Sequence, residues 1–577
     1  MYGLLAQYNR SMKNSDETPL DRRQWLGQLP GPVIGASLGA GLLATRKLSA
    51  EQGNTGAARN DLGARICNIR DYGAKGDGTT LDTAAVQAAV DACHRDGGGT
   101  VLVPAGVFQI GTLELRSNVT LHVTAAGKLL GSADGKQYHA VASIPLHGDA
   151  TLNDGNWALI FAVDAKNVTV EGPGMIDGQG LQFHSPTRGA TPPSGLGGDR
   201  RPYTLLFHRC QNLRVRNIDL FQSAYHCVRV IQSSYVHMEG LHIYDRVNSN
   251  NDGFHFISAE YVTVANCIVQ SQDDACALFG SCKFVTVTNC SFSTRWSVFR
   301  FGGGVAENIS VSNCVLYQVY GCPIKFHGGP GSRFENISFS NLVLQEVTGP
   351  INISVGPGSQ QHPASAGSGP AVARNISFSN IHGTVTTNPP QLPDVPFTSS
   401  YRPGEGHSCI TLNCVGDAVL ENITFNDVHL TFGGGGTRED AARRELPQVA
   451  GEYFMLGPMP AYGLYARNAR ALTLQNIRFQ VSQPDMRPAL IFDRVVDAGI
   501  NAFSVQANTE AESALRFIDS KQILLTAARV LTRTAVFLQM EGAANEGITI
   551  DGGDLSKASA PVTFKNGAAE KGLKVRD

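Results

Sequence analysis

Charge is scarce in this chain. Asp, Glu, Lys and Arg make up 17% of its 577 residues, against the roughly 25% usual in globular proteins. Neither sign prevails: 47 basic and 49 acidic residues give a formal net charge of −2, and no basic block occurs, which argues against a dedicated nucleic-acid binder. Long apolar runs are missing as well. No segment beyond the N-terminal region reaches ~18 uninterrupted apolar residues, so no stable membrane insertion is expected of the mature protein. Disorder is excluded by the opposite test, because a hydrophobic share of 42% leaves ample material to bury. Length alone suggests several domains, but that prior fails for repeat folds. What is abundant is glycine, 63 residues, and high glycine with few charges points to turn-rich β-structure.

The N-terminus carries Arg22-Arg23-Gln24-Trp25-Leu26 ahead of an apolar, Gly/Ala-rich run from Pro32 to Ala44. A charged segment before a run of that length reads as a signal peptide, too short for a usual spanning helix. The paired arginines resemble the twin-arginine export signal of bacteria, with Met12 as an alternative start and cleavage near Ala50. The plain alternative is an extension carrying a short apolar helix. The chain then divides into a signal over 1–50, a linker over 51–64 and one domain over 65–577, placed in the periplasm or secreted. Export of an already folded protein is compatible with free buried thiols. Few disulfides are expected among the 12 cysteines, and Cys409–Cys414 is the first candidate.

A repeat runs through the domain. Leu213-Arg214-Val215-Arg216-Asn217-Ile218, Val262-Thr263-Val264-Ala265-Asn266-Cys267, Val285-Thr286-Val287-Thr288-Asn289-Cys290 and Ile309-Ser310-Val311-Ser312-Asn313-Cys314 share one pattern. Further copies start at Val236, Ile337, Ile376, Ile423 and Leu472. Apolar and small polar residues alternate within each, the mark of a strand buried on one face. Central steps of 23 to 28 residues, widening later to 39, 47 and 49, predict an all-β right-handed parallel β-helix with loops inserted into its later coils. Leucine-rich repeats need a leucine scaffold that is absent, and propeller blades need a longer period. Insertions are expected at 356–373, 384–408 and 433–460. Asparagines 217, 266, 289, 313, 341, 380 and 422 read as turn ladders, and Cys267, Cys290 and Cys314 as an interior ladder. Asp82–Arg95 reads as a short capping helix burying Val86, Ala89, Val90 and Cys93, with Asp82 as its N-cap.

Aligning Gly253-Phe254-His255-Phe256, Ala275-Cys276-Ala277-Leu278, Val298-Phe299-Arg300-Phe301 and Pro323-Ile324-Lys325-Phe326 puts His255, Ala277, Arg300 and Lys325 in one slot. One coil earlier the slot holds Arg229. Alternation along a strand turns this slot outward, so it predicts a column of cations on one exterior face. Beside it lie Asp252, Asp273 and Asp274. Carboxylates this close cannot all ionise easily, so at least one should stay protonated, as a glycosidase acid must. Arg300 can fork onto a sugar carboxylate and Lys325 can meet one as a point charge. The competing reading makes Asp273-Asp274 a turn bonded to backbone amides.

Asn250-Asn251-Asp252-Gly253, Asp273-Asp274 and Ile324-Lys325 together resemble glycoside hydrolase family 28, the polygalacturonase and rhamnogalacturonase family. Arg201-Pro202-Tyr203 and Pro460-Ala461-Tyr462-Gly463-Leu464-Tyr465 fit the same resemblance, which spans roughly residues 66 to 500. It implies a right-handed parallel β-helix that hydrolyses acidic pectic polysaccharide with inversion and without a metal; no cofactor is expected, and the chain is expected to act as a monomer. It implies Asp273 as general acid, Asp252 and Asp274 as the carboxylates that hold and activate water, and Lys325 as a contact for substrate carboxylate. Two positions depart: the family's histidine falls on Ser297, between Trp296 and Val298, and an arginine two residues before the lysine is Pro323. Arg300 is placed to compensate for the second, and His255 or His327 for the first. Trp296 is a candidate for sugar stacking, whereas Phe299 and Phe301 read better as core. Two other functions remain open on this scaffold. A lyase or epimerase would use Arg300 or Lys325 as base, and a non-catalytic β-helix would only bind carbohydrate.

Overall fold

The computed structural model describes residues 64–141, 156–183, 200–358, 368–390, 392 and 405–576. The expected signal and the expected linker, up to residue 63, lie outside them, as do parts of the insertions at 356–373 and 384–408. The described chain from residue 64 onward is a right-handed parallel β-helix. Every ladder between its strands is parallel, and each strand pairs with its counterpart one coil away. The predicted starts Leu213, Val236, Val262, Val285, Ile309, Ile337, Ile376, Ile423 and Leu472 pair in that order without a slip. The same register continues through Ala498, Ile523 and Ile548 to Leu573. Period-two alternation accounts for this, since a slip by one residue would turn every apolar side chain outward. Inside, like residues stack on like: Phe339, Phe378 and Phe425 lie face to face at 5.3 and 4.9 Å.

The coil corners are left-handed. Asn266, Asn289, Asn313, Asn341 and Asn380 all have φ between 51° and 57°, a conformation asparagine tolerates better than other side chains. Each amide donates to the one before it, as Asn341 does to Asn313 at 3.0 Å. Asn422 belongs to a second corner, in line with Asn375, Asn336 and Asn308; at the first corner its coil has Asp427. The second ladder begins with Asn118, Asn167 and Asn212. Between its two runs stand Tyr235, Tyr261 and Phe284, stacked at 4.9 and 5.0 Å with similarly positive φ.

Helix α1 (Thr83–Arg95) closes the N-terminal end, burying Val86, Ala89, Val90, Ala92 and Cys93. Asp82 stands at its N-cap position, but its carboxylate makes no bond to the helix. It accepts instead from the backbone N–H of Lys75 at 2.7 Å and Gly76 at 2.9 Å, tying the preceding loop to the cap. All twelve cysteines are buried and free. The expected Cys409–Cys414 pair does not form, because the intervening strand Ile410–Cys414 is extended at ~3.3 Å per residue. That separates the two well beyond the ~7 Å a disulfide can bridge.

Candidate active site

Six consecutive strands of the fifteen-stranded sheet build the site: β1 (Val228–Ile231), β2 (Phe254–Ile257), β3 (Cys276–Phe279), β4 (Phe299–Gly302), β5 (Ile324–Gly328) and β6 (Ile351–Val355). Their register sets Arg229, His255, Ala277, Arg300, Lys325 and Asn352 opposite one another. The predicted slot is therefore real and faces away from the core, while Phe299 and Phe301 on either side of Arg300 pack inside the coil. It is not an open surface, however. Arg300 is 5% exposed and Lys325 0%, because the insertion at 433–460 lies over them.

That insertion is anchored in steps. It contains α2 (Arg438–Ala442), started by a capping box between Thr437 and Asp440. Asn413 donates to the carbonyl of Val449 at 2.9 Å, the Gly451 N–H donates to Ser354 Oγ at 3.0 Å, and Asn352 donates to the carbonyl of Gly451 at 3.3 Å. The next residue, Glu452, then reaches the cations. Its Oε1 lies 2.8 Å from Arg300 Nη1 and its Oε2 2.8 Å from Lys325 Nζ, with His327 Nδ1 at 3.8 Å. Burial alone would push the Glu452 carboxyl up, but Lys325, Arg300 and His327 outweigh it and hold the group well below the usual carboxylate range. Sequence reasoning missed Glu452, which stands in a loop without period, 127 residues from Lys325. It missed Glu405 for the same reason; this residue pairs with buried Arg295 at 3.4 Å.

The carboxylates sit on the turns entering β2 and β3. Asn251 braces them, accepting from the N–H of Val247 and Asn248 and donating to the carbonyls of Ser223 and Tyr225. Gly253 must be glycine, since a Cβ there would lie 2.6 Å from the Ala275 carbonyl. The Gly253 N–H donates to the Asp274 carbonyl at 2.9 Å and the Asp273 N–H to that of Asn251 at 3.1 Å, fixing the two turns together. Asp273 is half-buried and Asp274 buried. Burial, then the charge of Asp274, raises Asp273 to about 7. Asp274 also rises through burial, opposed by Arg300 and Lys325, and its Oδ2 lies 3.8 Å from Arg300 Nε. The Asp274 N–H donates to Asp273 Oδ1 at 2.9 Å, so the turn reading holds for that one bond while the pair still faces the slot's cations.

Asp252 is gripped by imidazoles. His255 Nδ1 stands 2.6 Å from its Oδ2 and His226 Nε2 3.7 Å from its Oδ1, with the two rings stacked at 4.3 Å. Burial, then His255, keeps His226 neutral by lowering it well below the usual imidazole range. Among the described residues, His226, Asp252 and His255 are the group whose ligand atoms, within 4.8 Å of one another, are able to hold a metal ion. His226 was legible, since it directly precedes the aligned segment Cys227–Val230.

The remaining predicted residues fall in different places. Arg229 is 1% exposed, bonded to the Tyr203 hydroxyl and lying over that ring at 4.9 Å. Ser297 is fully buried, its carbonyl accepting from the Ala275 N–H. His327 is buried beside Glu452. Trp296 is partly exposed, with Lys325 Nζ 4.3 Å from its ring centroid and Phe454 of the insertion 6.0 Å away.

The sequence profile described as Glycosyl hydrolases family 28 matches residues 93–442, more than half of the chain. An exo-poly-alpha-D-galacturonosidase of Dickeya chrysanthemi is 29% identical over 253 residues, covering 37% of this chain; the chain spans only 41% of that relative's length. An exopolygalacturonase of Platanus acerifolia is 24% identical over 402 residues, covering 67% of this chain and 96% of its own. Among solved structures, a hyperthermoactive exopolygalacturonase from Thermotoga maritima superposes with a TM-score of 0.54 at 19% identity, over 72% of this chain and 92% of its own, a likeness of fold.

Proposed function

The chain belongs to glycosyl hydrolases family 28, and from that membership we propose that it hydrolyses glycosidic bonds in pectin-like polysaccharide. The observation that carries this is the pair Asp273-Asp274: two adjacent carboxyls beside Asp252, one of them raised to about 7 at a half-buried position, so that it keeps its proton far above the usual carboxylate range. Asp273 donates its proton to the leaving glycosidic oxygen as the bond to the anomeric carbon breaks. Asp274 and Asp252 hold a water against the opposite side of that carbon and take its proton as the new C–O bond forms. His255 keeps Asp252 oriented through their 2.6 Å bond. Attack by water from the opposite side inverts the anomeric centre. We place the enzyme in the periplasm or outside the cell, after export directed by the twin-arginine-like segment.

A lyase would need Arg300 or Lys325 as base. Both are ion-paired to Glu452, and Glu452, Asp274 and Asp273 outweigh burial to raise Arg300 above its ordinary value. Cations held this firmly are poor proton acceptors. The deciding experiment is digestion of pectic oligosaccharides in ¹⁸O-water with product masses. Label in new reducing ends is expected, and unsaturated products without label would overturn hydrolysis.

A further inference from the structure

Glu452 occupies, from within the chain, the place a uronate carboxylate would take beside two cations. Its oxygens divide between them, one on Arg300 and one on Lys325, each at 2.8 Å. The Lys325 ammonium has three N–H donors, and three acceptors surround it: Glu452, the Gly321 carbonyl at 3.3 Å and the ring face of Trp296 at 4.3 Å. Lys325 is 0% exposed, so no donor direction is left for a substrate. Arg300 faces Asp274 as well as Glu452. Arg300 and Lys325 thus already face carboxyls of the chain itself, Asp274 and Glu452, which answer their charge. A sugar carboxylate entering here would lose its hydration without gaining a partner.

Glu452 is also built in rather than resting there. The backbone before it is tied at Val449 and Gly451 to Asn413, Ser354 and Asn352, residues of the same sheet face. What the cluster does present is Trp296, which is partly exposed; an indole is the kind of apolar surface that packs against sugar C–H groups.

We propose that Glu452 sets substrate class: the sugar unit lying against Trp296, over the cluster of Arg300, Lys325 and Glu452, is neutral, and the preferred chain alternates uronate with neutral sugar instead of being uronate throughout. This rests on the hydrolase reading above. The test compares kcat/KM of the purified chain on equal-length oligomers of galacturonate alone and of alternating galacturonate and rhamnose. At least a 10-fold preference for the alternating oligomer is expected. In Glu452→Gln, which keeps the shape and removes the charge, the ratio should move at least 10-fold toward the all-uronate oligomer, mainly through KM. Far-ultraviolet circular dichroism and thermal melting report whether the variant folds. Preference of the wild type for the all-uronate oligomer overturns the proposal while leaving hydrolysis intact, and so does an unchanged ratio in a folded variant. If the variant does not fold, the wild-type comparison decides alone. Cleavage of neither oligomer overturns the hydrolase reading, and this inference with it.

Discussion

On the proposed mechanism Asp273 has to carry a proton, and burial beside Asp274 supplies the means. With the group raised to about 7, kcat/KM should fall as pH rises through about 7, because the acid form of the free enzyme is lost. The same shift has a cost in stability. An unfolded aspartate titrates near ~3.9, so the folded state binds this proton more tightly. Its stabilising effect is complete below that value and is lost as pH rises through about 7. Asp273→Asn should therefore lose at least ~10³-fold in kcat yet melt higher than wild type at pH 8, with the gap closing toward pH 4. A variant with full turnover would sink the assignment of the acid, and one melting lower at pH 8 would sink its buried-charge account. Asp252, Asp273, Asp274, Arg300 and Lys325 were legible because strand register carries them. The burial of Arg300 and Lys325 was not, because it comes with a loop that shares no register with them.

At the scale of elements, corner asparagines do two jobs that substitution can separate. Asn289 has φ 56°; it donates to Asn266 at 3.4 Å and accepts from Asn313 at 3.3 Å. Alanine removes both bonds and adds the left-handed penalty of roughly 1–2 kcal/mol. Glycine removes the bonds but not the conformational freedom. Asn289→Ala should lower the melting temperature more than Asn289→Gly, and equal losses would show the bonds alone to matter. Alternation made these strands and their pairing readable from the chain. Which corner a given asparagine serves was less so: Asn422 and Asp427 stand five residues apart in one coil, and only stacking on Asn375 assigns the first. Asp82 teaches the same lesson, since a residue suited to cap its own helix is used by the loop before it.

Over the whole molecule the thiols report closure of the solenoid. All twelve are buried, and burial pushes groups such as Cys276 well above the usual thiol range. A bulky thiol reagent should label none in the native protein and twelve after denaturation; prompt labelling of any would mark a coil that opens. The clamp on Arg300 and Lys325 has a consequence in time as well as in charge. Glu452 lies 152 and 127 residues further along the chain, so a chain emerging N-terminus first builds β4 and β5 while their counter-charge is still unmade. Until then both cations need water, which keeps that face of the young solenoid wet. Joining the two segments closes a loop of long contact order, the slow kind of step in folding. The site is thus completed only after residue 452 has emerged, and a nascent chain released before it would hold every predicted catalytic aspartate and still lack the finished site.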